Sequence, residues 1–99
     1  MKEIKPEEVA KKVNSNERVS IIDVREDEEV AQGKISGATH IPLGELPDRL
    51  DEIDQSTEHI MVCRSGGRSG KAYQFLEEQG YNVRNMTGGM LEWKEEVVK

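Results

Sequence analysis

The sequence has one cysteine, few aromatic residues and no long apolar run, and each shortage excludes a class of protein. Because Cys63 is the only cysteine among the 99 residues, no intramolecular disulfide framework can form. No apolar stretch approaches the roughly 18 residues that a membrane-spanning helix needs, and residues 1–5 lack the apolar segment of a secretory signal. With one Trp, two Tyr and one Phe, the core must be mainly aliphatic. We therefore expect a cytoplasmic protein with no membrane partner.

Acidic residues dominate the charge of the chain. Asp and Glu number 20 against 14 Lys and Arg, which gives a formal net charge of −6. This balance disfavours nucleic acid as a partner, since neutralising phosphates requires a basic surface. The acids of residues 26–29 and 48–54 are interpreted as solvated helix faces. A chain of 99 residues has room for one core, so we predict a single domain over residues 1–99 and a monomer.

The apolar pattern predicts strands that alternate with helices along the chain. Strands are predicted near Ile4, at 18–24, between 37 and 42, at 60–62 and at 81–86. Helices are predicted at 6–14, 26–32, 43–53 (interrupted by Pro47), 69–79 (followed by Gly80) and 90–97. Because each parallel strand pair needs a crossover connection, this alternation predicts an α/β fold with a mostly parallel sheet.

Cys63 is placed as a reactive thiol would be, between the strand that ends at Val62 and the helix for which Ser69 is the predicted N-cap. Residues 63–69 read Cys-Arg-Ser-Gly-Gly-Arg-Ser. So short a glycine-rich loop can turn several backbone N–H groups inward, and the positive end of the following helix adds to the field. These groups and the two arginines favour the thiolate, which lowers the thiol pKa below about 8.5. A lone cysteine is often just a small buried apolar residue, but its neighbours here favour a nucleophile.

The local charge predicts the kind of substrate. Between residues 59 and 76 the only formally charged side chains are those of Arg64, Arg68 and Lys71, on a chain that is acidic overall. A cationic pocket on an acidic protein favours a small anionic substrate, because the global field repels larger polyanions.

Four segments, taken together, resemble one protein family. They are residues 21–26 (Ile-Ile-Asp-Val-Arg-Glu), residues 33–43 (Gly-Lys-Ile-Ser-Gly-Ala-Thr-His-Ile-Pro-Leu), the Cys63 loop, and residues 87–89 (Thr-Gly-Gly) with Trp93. In order and spacing they resemble the rhodanese-like domain in its free-standing form, although Lys34 and Ser36 stand where that family often has His and Pro. The resemblance implies a five-stranded, mainly parallel sheet flanked by helices. It also implies a thiosulfate sulfurtransferase (rhodanese) whose cysteine carries a persulfide sulfur, with thiosulfate as the usual test donor and cyanide as the usual test acceptor.

The resemblance also implies a set of site residues. Cys63 would be the catalytic sulfur carrier, and the cradle around the outer sulfur would come from the residues that follow it. The predicted substrate-binding residues are Arg64, Ser65, Gly66, Gly67 and Arg68. Arg64 and Arg68 would attract and orient an anionic donor, and neither a cofactor nor a metal is implied.

Other conspicuous side chains are interpreted as structural. Asp23 is expected to bond local groups at a strand end, and Arg25 to brace a loop. Neither His40 nor His59 has the spacing of a metal ligand. Trp93 is expected to anchor the last helix to the domain.

Three alternative functions remain beside the sulfurtransferase. The first is a carrier module that takes sulfur from a relay protein, such as a cysteine desulfurase, and delivers it to an acceptor protein. The second is a redox-sensing thiol. The third is phosphatase or arsenate reductase chemistry, which loop length disfavours: cysteine phosphatases use Cys-x5-Arg, whereas four residues separate Cys63 from Arg68.

Overall fold

The computed structural model describes residues 1–99, and it contains a five-stranded sheet in the order β1-β5-β4-β2-β3. The strands are β1 (Glu3–Ile4), β2 (Ser20–Asp23), β3 (Thr39–His40), β4 (His59–Val62) and β5 (Val83–Met86). Every neighbouring pair of strands runs parallel. The predicted α/β fold with a five-stranded parallel sheet is therefore confirmed.

Helical segments connect the strands. They are α1 (Pro6–Asn14), α2 (Asp27–Ala31), α3 (Gly67–Glu78) and two 3₁₀ helices, Leu43–Glu52 and Gly89–Glu92. Helix α1 begins with Pro6, and the lack of an N–H group costs nothing there because the first N–H groups of a helix have no partner within the helix. The helix has acids in its first turn and lysines in its last, which complements its dipole. The backbone of the longer 3₁₀ helix is non-helical at Arg49, two residues after Pro47, so the helix is interrupted close to the predicted position. None of these helices is long and apolar enough to cross a membrane.

The two faces of the sheet have separate apolar cores. Because side chains alternate along a strand, Ile60 and Val62 of β4 face one core while Met61 faces the other. The first core contains Val9 of α1, and the second contains Leu76 of α3. The sheet is thus covered on both sides, which explains the runs of apolar residues in β2 and β4.

The predicted helix at 90–97 is wrong. Only the short 3₁₀ helix Gly89–Glu92 forms there; the chain after it is not helical, and Val98 pairs antiparallel with Lys34. The expectation for Trp93 therefore holds only in part. Its half-buried ring packs on the core that contains Val9, but it anchors a non-helical segment.

The carboxyl ends of β2, β4 and β5 lie at one edge of the sheet, since the three strands are adjacent and parallel. The residues that follow them are Val24, Cys63 and Thr87. Ligands of parallel sheets bind at this edge. The fold therefore brings the loop after β4 together with the segments of residues 24–26 and 87–89.

Candidate active site

Cys63 directly follows the central strand β4, and its sulfur accepts a hydrogen bond from a backbone amide of the next turn. The Gly66 N–H lies 3.0 Å from Sγ. Gly66 has φ of +104°, a left-handed conformation that glycine adopts without strain. This conformation turns the chain sharply and places the start of α3 at Gly67. The Gly66 amide is thus one N–H group of the loop that turns inward to the sulfur.

Ser69 has a different position from the predicted one. Gly66 occupies the N-cap of α3, so Ser69 lies inside the first turn of the helix and is fully buried. Its Oγ is 3.4 Å from Sγ of Cys63, 3.2 Å from the Gly66 carbonyl oxygen and 2.5 Å from Oδ1 of Asn85. The hydroxyl therefore contacts the thiol directly and does not cap the helix.

Asn85 on β5 is the third buried polar side chain beside the loop, together with those of Cys63 and Ser69. Its amide nitrogen donates to the Gly66 carbonyl at 3.3 Å, while its oxygen is the partner of Ser69. The amide thus bonds both the loop and the helix that surround the sulfur. The single proton of the Ser69 hydroxyl has two acceptors, Asn85 Oδ1 and the Gly66 carbonyl oxygen, while the protonated Cys63 thiol donates to Ser69 Oγ. Once Cys63 is ionised, its sulfur becomes a third acceptor for that proton.

The environment of Cys63 contains opposing influences on its pKa. Burial raises the pKa of the thiol, but hydrogen bonds from the Ser69 hydroxyl and from the amides of Ser69, Gly66 and Ser65 outweigh it, so the pKa lies below its ordinary value. The residue has no exposed surface and packs in the same core as Met61.

The segment after β5 braces the Cys63 loop from behind. The amides of Met90 and Leu91 donate to the carbonyls of Cys63 and Arg64 at 2.8 and 2.9 Å. At Gly89 the backbones approach so closely that a Cβ atom would lie 2.5 Å from the Cys63 carbonyl oxygen. Gly89 therefore permits the close approach at which Met90 and Leu91 hold the loop backbone.

The two arginines of the loop have different surroundings. Arg64 is exposed, and none of the side-chain hydrogen bonds or ion pairs of the structure involves it. Arg68 is half-buried and forms a bidentate ion pair with Glu29 of α2, with N–O distances of 2.6 and 2.7 Å. The Arg68 bonds lower the pKa of Glu29 to about 2, and Glu29 in turn raises the pKa of Arg68.

Asp23 and Arg25 form a buried structural pair beside the site. Two guanidinium nitrogens of Arg25 contact the Asp23 carboxylate at 2.8 to 3.1 Å, and Nη2 also donates to the Gly33 carbonyl. Arg25 thus braces the loop after α2, in agreement with the sequence interpretation. His40 lies beyond it, with Nε2 2.7 Å from the Arg25 carbonyl oxygen.

The other histidine is equally engaged in the scaffold. His59 lies between the Ser20 hydroxyl and the Asp54 carbonyl, each 2.6 Å from a ring nitrogen. No group of three or more His, Cys, Asp or Glu side chains comes together as a metal site would require.

Sequence reasoning missed Glu29 and Asn85. The sequence pattern places Glu29 in a solvated acidic run, whereas a capping box, in which Glu26 and Glu29 bond each other's backbone, fixes its place in α2. The reach of Arg68 to it depends on how α2 packs, which no local pattern reveals. A polar Asn85 inside an apolar strand was the available signal, because a buried amide needs partners.

Comparison with known proteins gives the family. The sequence profile of the Rhodanese-like domain matches residues 5–96. YtwF of Bacillus subtilis is 42% identical over 96 residues, covering 97% of this chain and 93% of its own. A sulfurtransferase of Allochromatium vinosum is 37% identical over 92 residues, covering 92% and 86%. The crystal structure of SSP1007 from Staphylococcus saprophyticus superposes with a TM-score of 0.94, at 37% identity and 100% coverage of both chains. The chain therefore belongs to the rhodanese-like sulfurtransferase family.

Proposed function

We propose that the protein transfers sulfane sulfur through a persulfide on Cys63, from a donor such as thiosulfate to an acceptor such as cyanide or a thiol. The observation that carries the proposal is the thiol itself: a lone cysteine at the carboxyl end of the central strand, with a lowered pKa and an amide hydrogen bond to its sulfur. The Allochromatium relative, which is named a sulfurtransferase, supports the same chemistry.

The reaction needs only a thiolate and a site for negative charge. The Cys63 thiolate attacks the outer sulfur of thiosulfate, a new S–S bond forms, and sulfite leaves with the electron pair of the bond that breaks. Cyanide then attacks the outer sulfur of the persulfide, thiocyanate leaves, and the thiolate is restored. Since both resting forms are anions, backbone N–H donors around the sulfur can stabilise each of them.

The loop residues supply these donors in the proposal. The predicted cradle is formed by the backbone from Arg64 to Arg68, of which the Gly66 amide already contacts Sγ. Arg64 is the loop cation whose guanidinium has no partner within the protein, so we assign it the attraction of the donor. The burial of Cys63 favours donors small enough to enter the loop.

Intact-protein mass spectrometry tests the proposal. Brief incubation with thiosulfate should add one sulfur atom to the wild type and none to Cys63→Ser, and cyanide should remove it as thiocyanate. Arg64→Ala should load more slowly at low thiosulfate concentration, with an increased KM. Full sulfur transfer by Cys63→Ser would disprove the proposal.

A protein-fed carrier is the second candidate, because the rim of the loop is open to a large partner. Arg64, Ser65 and Gly67 are exposed, whereas the sulfur beneath them is buried. A partner persulfide on a flexible segment could reach Cys63 while its protein contacts this rim. Fast loading by a persulfide-bearing cysteine desulfurase, together with slow loading by thiosulfate, would favour the carrier.

A further inference from the structure

We propose that Glu29 sets the charge that the active-site loop offers to a sulfur donor, and that it favours donors with one negative charge over the thiosulfate dianion. Suitable monoanions are thiosulfonates and organic persulfides. The inference rests on the proposed sulfur transfer and adds the donor class to it.

Glu29 binds the Arg68 guanidinium at two points. Both carboxylate oxygens are bound, Oε1 to Nη1 at 2.6 Å and Oε2 to Nη2 at 2.7 Å. This is the same fork by which an arginine binds the oxygens of a sulfonate, so the carboxylate occupies the place that a donor would need. The backbone amide of Glu26 also donates to Oε1, at 3.0 Å, which fixes the orientation of the carboxylate.

The pair changes the charge at the loop. The formal charges of Arg68 and Glu29 cancel, which leaves Arg64 as the unpaired cation within residues 63–68. Arg25 also lies near Glu29, but its own charge is matched by Asp23 at 2.8 Å. With the Cys63 thiolate that attacks the donor, the loop and Glu29 therefore have no net charge. Without Glu29 they would have one positive charge, which attracts a dianion more strongly than a monoanion.

Removal of the Glu29 charge should act on donors according to their own charge. The added positive charge attracts a dianion twice as strongly as a monoanion at the same distance. One extra pair of unit charges about 4 Å apart in water-like surroundings corresponds to about fivefold in binding. Donor selectivity should change by this factor, whereas a purely structural loss would slow both donors equally.

Two donors with the same reacting atoms provide the test. Thiosulfate and methanethiosulfonate both give up the outer sulfur to the Cys63 thiolate; the first releases sulfite and the second methanesulfinate, each with the electron pair of the broken S–S bond. The measured quantity is the ratio of kcat/KM for thiosulfate to kcat/KM for methanethiosulfonate, at saturating cyanide. Circular dichroism verifies the fold of each variant.

The variants are Glu29→Gln, which keeps the size of the side chain, and Glu29→Ala, which removes both oxygens. Glu58→Gln is the matched control, because Glu58 pairs with Arg84 at 3.0 Å with side chains 35% and 38% exposed, against 28% and 33% for Glu29 and Arg68.

The ratio should increase about fivefold in both Glu29 variants, stay at the wild-type value in Glu58→Gln, and lose most of the increase in 1 M salt. A ratio within twofold of wild type in both Glu29 variants, with wild type using both donors, would overturn the inference alone. Loading of wild type by neither donor would refute the proposed function, and this inference with it.

Discussion

Gly89→Ala tests whether the segment after β5 holds the active-site loop in place. A Cβ atom at this position would lie 2.5 Å from the Cys63 carbonyl oxygen and 2.6 Å from the carbonyl carbon and oxygen of Arg64. All three are backbone atoms, and both carbonyls also accept the amides of Met90 and Leu91. The loop can make room for the methyl group only by giving up these two hydrogen bonds.

The expected cost follows from these contacts. Two backbone hydrogen bonds contribute about 1 kcal/mol each to stability. Alanine in the left-handed conformation of Gly89, with φ of +59°, costs about 1 kcal/mol more. We therefore expect the free energy of unfolding to decrease by about 3 kcal/mol. The displaced loop should also load sulfur at least about tenfold more slowly, because small misplacements at a reacting centre are costly.

Gly37→Ala is the control for this variant. Gly37 also has a positive φ, of +83°, but a Cβ there meets no atom within 4 Å. The free energy of unfolding of Gly37→Ala should decrease only by the cost of the left-handed conformation, about 1 kcal/mol, and its loading rate should stay at the wild-type value. Urea unfolding gives the stabilities, and mass spectrometry after timed mixing with thiosulfate gives the rates. Equal stabilities and equal loading rates for the two variants would refute the idea that the segment after β5 holds the Cys63 loop in place.

Further predictions concern the charged groups. Asp23→Asn leaves the buried Arg25 without its counter-charge and should lower the free energy of unfolding by about 3 kcal/mol in urea titrations; a loss below about 1 kcal/mol would contradict a tight pair. Since the pKa of Cys63 is lowered, the loading rate should increase with pH and reach half of its maximum below about pH 8.5 in stopped-flow mixing; a midpoint at or above that value would contradict it. Arg68 lowers the pKa of Glu29 to about 2, so its contribution is present above the ordinary value of 4.5 and is lost as pH falls towards 2. Glu29→Gln should remove this pH-dependent contribution to the free energy of unfolding, about 1 kcal/mol, in urea titrations between pH 2 and 5; the same pH dependence in the variant as in the wild type would exclude the contribution.

The sequence predicted the α/β architecture because its signals were local and repeated. Consecutive apolar residues in β2 and β4 indicate strands covered on both faces, and the Gly-Gly loop after Val62 marks the turn into a helix. Gly80 was also correctly placed after α3, where its φ is +91°. The family resemblance supplied the strand number, which no single segment contains.

The C-terminal segment was mispredicted because tertiary contacts determine its backbone. Residues 90–97 have helical spacing, and a 3₁₀ helix does begin at Gly89, with the amides of Met90 and Leu91 bound to the Cys63 loop. Further on, the amide and carbonyl of Val98 pair with those of Lys34, so the segment is held against a distant residue and does not continue as a helix. Long-range hydrogen bonds of this kind leave no periodic pattern in the residues that make them.

The position of Ser69 shows the same limit on a smaller scale. A serine before an apolar helical face is a typical N-cap. Here Gly66, in its left-handed conformation, takes the cap position three residues before Ser69, and Ser69 contacts the sulfur from inside the first turn. An N-cap that differs by three residues thus changes a capping residue into a direct neighbour of the thiol.

The brace behind Cys63 consists of main-chain groups, and this affects how the domain can vary. Met90 and Leu91 hold the loop through their N–H groups, and every residue except proline has this group. Leu91 is 59% exposed, and its amide binds the carbonyl of Arg64. Substitution at position 91 can therefore change the size, polarity or charge of the surface at the rim of the loop while the loop keeps its shape. Libraries randomised at this position could vary what docks at the rim without disturbing the backbone that holds Cys63.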